Sequence, residues 1–228
     1  MTEYRRPTFP VEIYRDDQER AIDYGNRWVG ASPPEDAYSR VSNLQRFARL
    51  HHVADAVIEW PQTTFDVAVD QAPSADADAD HLHLPNDVVR AVRVVPRDPT
   101  AAPLTFVLTR FPGVYLHAGS LHDFHFPCGC DACDDGVLNL VQELEWTVRT
   151  VMSGDYSERF DPGRCGWIEY RLDDPGVGMR SGRSRTADLP EARIKSARTA
   201  LPPAEQWSPW PLLPQGEADA IGCAPARR

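Results

Sequence analysis

Three apolar stretches follow one another so closely that they constrain the fold more than any other feature of the chain. Residues 88–95 are rich in valine; Leu104, Phe106 and Leu108 alternate with Thr105 and Thr109; residues 114–117 follow the Phe111-Pro112-Gly113 turn. The gaps are too short for the crossover of a dozen or more residues that a parallel pair requires, so these strands must form an antiparallel meander. Phe65, Val67 and Val69 alternate with Asp66 and Asp70, which adds a short half-buried strand. Ile168, Tyr170 and Leu172 face away from Glu169 and Arg171 in a further strand over 167–172. Residues 9–28 read as a hairpin turning at the polar Asp16–Arg20 stretch.

Helical periodicity marks two segments. Leu44, Phe47, Leu50, Ala54, Val57 and Ile58 form one stripe over 42–60, with Ser42 or Asn43 as cap and Pro61 as terminator. Val137, Leu140, Val141, Leu144, Val148, Val151 and Met152 form another over 135–152, stopped by Ser153-Gly154. The combination predicts an α+β fold: an antiparallel sheet with two main helices on one face. The Trp207–Trp210 stretch is too proline-rich for a helix and should lie extended across the body. Residues 1–215 are expected to form a single domain and 216–228 a disordered tail.

The chemistry is concentrated between residues 117 and 133, where His117, His122, His125, Cys128, Cys130 and Cys133 fall together. Zinc takes four nitrogen or sulfur ligands in a tetrahedron. Cys128-x-Cys130-x-x-Cys133 offers three, and Gly129 lets the backbone fold tightly between the first two. His125 is the leading fourth ligand, with His122, His117 and Cys165 as alternatives; if His122 and His125 share a strand they face opposite ways. Plain thiols in a turn remain the competing reading, as does a redox-active thiol, with Cys133 near a helix start as the low-pKa candidate. Glu143 and Glu145 are the nearest carboxylates that a zinc enzyme could use as a base, and no His-Glu-x-x-His motif is present.

Other patterns are weaker. Asp76, Asp78 and Asp80 mimic a calcium loop, but His81 stands where glycine is needed and Asp87 where glutamate is needed, which favours a solvated acidic loop. Residues 176–200 hold six basic residues against two acidic ones, and Arg180, Arg183 and Arg185 could cradle an anion or pair with the acidic body. The net charge of −10 argues against nucleic-acid binding. The start of the chain has no apolar signal region and no stretch approaches a membrane span, so a cytoplasmic location with reduced thiols is expected.

The segments IDYGNRW (22–28), SPPED (32–36), VVRAVRVVPRDP (88–99), LTFVLTRFPGVYLHAG (104–119), LHDFHFPCGCDAC (121–133) and SGRSR (181–185) resemble an actinobacterial family of unknown function, the domain of unknown function 6226 family. The resemblance spans most of the chain, implies one domain, and carries no activity, cofactor or catalytic residue. The residues themselves favour a non-enzymatic, partner-binding or regulatory protein whose Cys/His cluster holds structural zinc. A small metal- or thiol-dependent enzyme, or a redox-sensing thiol protein, is the alternative use of the same cluster. Its partner would be a protein or a small molecule.

Overall fold

The closely spaced stretches do pair as a meander in the computed structural model, which describes residues 3–71 and 87–214. Five antiparallel strands lie side by side in chain order: β1 (Val67–Asp70), β2 (Val88–Pro96), β3 (Leu104–Thr109), β4 (Val114–Ala118) and β5 (His122–Phe126). Val92, Phe106, Leu116 and Phe124 are aligned across β2 to β5 and bury one face of the sheet. Thr105, His117 and Asp123 are aligned on the opposite face. Every residue of β3 is buried, as expected of a central strand covered on both sides.

The apolar face meets α1 (Ala48–Gln62) and α2 (Val137–Met152), whose predicted stripes enter the same core. α1 differs at both ends from its sequence reading. A 3-10 turn, Leu44–Phe47, precedes it, and neither Ser42 nor Asn43 caps it, because Ser42 is engaged by Asp131 and Asn43 is left-handed. Pro61 lies inside the last turn rather than beyond it. Gly154, at φ +83°, follows α2 with no room for a side chain: a Cβ would stand 2.6 Å from the Pro209 nitrogen.

A second antiparallel sheet contains β6 (Tyr156–Phe160), β7 (Trp167–Asp174) and β8 (Gly178–Arg185). Only β7 was evident from periodicity. The arginine-rich stretch is strand β8 rather than a loop; cross-strand pairing to β7 overrides its glycines. Tyr170 crosses over Gly182, where a Cβ would meet its ring at 2.6 Å. α3 (Glu191–Ala200) has few apolar positions and buries mainly Arg193 and Ala197.

The 9–28 segment turns as expected but pairs only through the Arg15–Ala21 bridge, and Val11 and Ile13 stay exposed. The C-terminal segment lies extended, bridging Ser208 to Ala101 and Leu212 to Phe65, with Trp207 and Trp210 buried. Among the described residues no helix is long and apolar enough to cross a membrane. The Asp76–Asp78–Asp80 and His81 pattern and the tail at 216–228 lie outside the described residues.

Candidate functional site

The cysteine loop leaves the end of β5 through a cis Phe126–Pro127 bond and ends at α2. Gly129 sits at φ +88°, and a Cβ there would stand 2.4 Å from the Phe111 ring. The Cys128 and Cys130 sulfurs are 3.8 Å apart, those of Cys130 and Cys133 are 3.4 Å apart, and all three lie within 4.8 Å of one another. Two corners of a zinc tetrahedron with Zn–S bonds of about 2.3 Å are separated by about 3.8 Å. The Cys128–Cys130 pair matches that edge, and the Cys130–Cys133 pair is closer.

Two buried aspartates fix this loop to the N-terminal part of the chain. Asp131, 1% exposed, accepts from the Ser42 amide at 2.8 Å and the Ser42 hydroxyl at 2.6 Å. Its own amide donates to the Arg40 carbonyl at 2.8 Å, and its carbonyl accepts from the Trp28 indole at 3.1 Å. Asp134 accepts from the Arg27 amide at 2.7 Å. Burial opposes ionisation of Asp131, but the Ser42 bonds and the Arg27 and Arg46 charges outweigh it and hold the carboxyl below its ordinary range. Replacing Asp131 by alanine strands the Ser42 donors and frees the loop. A loss of about 1–3 kcal/mol in urea unfolding is expected, with faster amide exchange over residues 128–134.

The thiols themselves are unequal. Hydrogen bonding to Cys128, then burial, then Cys130 push Cys133 up to about 12. Cys130 moves down: burial opposes this, and bonds from the Cys133 and Ala132 amides and the flanking thiols prevail. Of these two, Cys130 is the readier thiolate and Cys133 the poorer one. Cys133 lies three residues before the Gly136 N-cap of α2, and its neighbours favour keeping its proton.

The other sequence candidates lie elsewhere. Among the described residues the group of close ligand atoms contains only the three cysteines. His125 packs against Tyr115, with ring centroids 4.3 Å apart, and does not complete the site in this arrangement. His117 and His122 face opposite sides of the sheet and contact different carboxylates. Cys165 is exposed in the turn between β6 and β7. Glu143 bonds Arg180, and Glu145 bonds Tyr4 and Arg6, so neither is free to serve the thiols as a base. Arg183 pairs with Glu169, and Arg185 stacks over Trp167. Arg180 and Arg183 of the expected anion site thus pair with Glu143 and Glu169.

Sequence reasoning missed Glu158, Asp123 and Arg193. Glu158, wholly buried on β6, accepts from the Ser120 and Leu121 amides, Tyr156 hydroxyl, Trp207 indole and His122 Nδ1, at 2.5, 2.8, 3.0, 3.2 and 3.2 Å. Across the sheet, Arg193 donates to both Asp123 oxygens at 2.9 and 3.0 Å and to the Ser120 carbonyl at 3.0 Å. His117 Nδ1 lies 2.7 Å from Asp123, at the wall of a cleft of about 580 Å³ bounded by β3, β4, α3 and Trp207. The only local signal was Glu158 sharing strand parity with Tyr156; the partners are remote in sequence.

Burial opposes ionisation of both carboxylates. His117 and Arg193 nevertheless hold Asp123 far below the usual range, and His122 and the backbone amides lower Glu158. A carboxylate with a depressed folded pKa contributes fully above its unfolded pKa of about 4 and loses that contribution as pH falls through the folded value. Urea midpoints should therefore fall progressively below about pH 4. Asp123→Asn should be less stable at neutral pH and show a shallower acid limb; an unchanged limb would remove Asp123 from this account.

A sequence model of a family of unknown function, DUF6226, matches residues 10–214. No curated protein matches the chain, and no solved structure does.

Proposed function

The chain belongs to the DUF6226 family of unknown function, so its own geometry must carry the functional reading, and we propose a partner-binding or regulatory protein whose Cys128–Cys130–Cys133 loop holds a structural zinc ion. The observation that supports this most is the sulfur spacing, three thiols within 4.8 Å of one another on a loop anchored by Asp131 and Asp134. Zinc would neutralise thiolates that otherwise crowd one another, and would tie β5 to α2. The fourth position falls to water or to a donor from a partner. Cys128 and Cys133 are exposed, so an incoming histidine or cysteine can reach it. Reduced thiols of this kind fit the cytoplasm.

A metal-dependent enzyme at the same loop is the weaker reading. Glu143 and Glu145 are committed to arginines and Tyr4, and the 580 Å³ cleft is lined by residues other than these cysteines. Redox sensing has one observation in its favour: Cys130 is thiolate-prone and its sulfur is 3.4 Å from that of Cys133.

Cobalt(II) titration of the reduced protein separates these readings. Thiolate-to-cobalt absorption with tetrahedral visible bands, displaced by zinc and lost in Cys128→Ser, Cys130→Ser or Cys133→Ser, is expected; His125→Ala should keep it. Absence of thiolate bands in the wild type, with a reversible intramolecular disulfide under mild oxidant, would replace zinc with the redox reading.

A further inference from the structure

The outer face of the first sheet carries a polar row where a covered strand ordinarily carries apolar side chains. Arg93 on β2, Thr105 on β3 and His117 on β4 are direct cross-strand partners, so their side chains leave the same face, opposite the core row of Val92, Phe106 and Leu116. All three line the 580 Å³ cleft bounded by α3 and Trp207. That volume is within the range of small-molecule sites.

Thr105 is the least expected member of the row. It is only 3% exposed, in a strand buried along its whole length. Its hydroxyl has no hydrogen-bond partner among the described residues, and it is not one of the polar atoms sealed inside the fold, so its access is through the cleft. Valine would fill the same space, suit a β-strand as well and leave no polar group to satisfy. The fold has no use for this hydroxyl, whereas a ligand in the cleft does.

The lining favours a ligand that accepts. Arg93 is already engaged, but a guanidinium has five N–H donors and one carboxylate takes two of them. Asp98, the carboxylate among the lining residues, accepts from the amide and hydroxyl of Thr100 in its own loop. Arg193 is paired with Asp123. With that charge balanced, one negative charge suits the cleft better than a doubly charged phosphate. Val95, Pro96, Pro99 and Pro103 add an apolar wall.

We propose that this cleft binds a small organic monocarboxylate, which accepts from the Thr105 hydroxyl and the Arg93 guanidinium while its apolar body lies against the proline wall. These contacts do not involve His117, whose Nδ1 is occupied by Asp123 and Arg193. The site is separate from the cysteine loop and does not depend on metal there.

Benzoate is a suitable probe, with benzyl alcohol as an uncharged ring of similar size. Titration of the full-length, nitrogen-15-labelled protein should move the amide signals of Arg93, Thr105 and His117 saturably with benzoate, and much less with benzyl alcohol. Thr105→Val should weaken benzoate binding by about tenfold or more, the loss of a hydrogen bond to a charged group. Its urea midpoint should be no lower than that of wild type. Ser196→Trp, at an exposed α3 position bordering the cleft, should abolish the response. No saturable response to benzoate in the wild type would overturn the proposal. So would an equal response to benzyl alcohol, an unchanged benzoate affinity in Thr105→Val, or a response that survives Ser196→Trp. A lowered midpoint for Thr105→Val would show that the fold itself holds the hydroxyl, and would overturn it as well.

Discussion

Glu158→Leu is expected to destabilise the protein by about 3 kcal/mol or more, because stranding one buried donor costs about 1–3 kcal/mol and five lose their acceptor here. The substitution keeps the bulk and removes the acceptor. Five donors then face an apolar side chain: the Ser120 and Leu121 amides, Tyr156, Trp207 and His122. These donors come from the β4–β5 turn, β5, β6 itself and the C-terminal strap, so one carboxylate joins four parts of the chain. Gly119→Ala tests the same point by another route. Gly119 has φ +63°, and a Cβ there would stand 2.2 Å from Glu158 Oε1. Urea unfolding of both variants should show lower midpoints with a similar slope. A Glu158→Leu midpoint equal to wild type would mean that the network does not hold the two sheets together.

The second large effect is on metal. Cys130→Ser should weaken zinc binding by more than about 100-fold, because changes even to the groups that merely orient zinc ligands cost about 10–100-fold. Cys130 is the middle sulfur of the three, with a neighbour at 3.8 Å on one side and 3.4 Å on the other. Losing it leaves only Cys128 and Cys133 to hold the ion. The hydroxyl is a poor zinc ligand at neutral pH, so serine preserves size without rescuing the site. Competition with a chromogenic chelator measures the change directly. Asp131→Ala should weaken binding less, since it loosens the loop and leaves all three ligands in place.

β5 was not read as a strand, while β1 to β4, α1, α2 and β7 were legible from their apolar runs and periodicity. β8 and α3 were not. β8 is exposed along most of its length, so no apolar alternation marks it. α3 is held by Arg193, whose guanidinium is satisfied by Asp123 and Ser120 rather than by an apolar stripe. The three cysteines were legible from spacing alone, since the loop that gathers them is local. The histidines were not assignable, because strand parity sends His122 and His117 to opposite faces and each is engaged by a carboxylate distant in sequence or across the sheet. The roles of Glu158 and Arg193 exist only in the folded chain: each is an ordinary charged residue until its partners arrive.

Zinc content of full-length protein purified without a metal-affinity tag, determined by elemental mass spectrometry beside Cys130→Ser and His125→Ala, tests the central claim most directly. The account expects about one zinc per chain in wild type and in His125→Ala, and none in Cys130→Ser. Freshly reduced wild type without zinc, unable to take it up on addition, or zinc retained at full stoichiometry by Cys130→Ser, would contradict it.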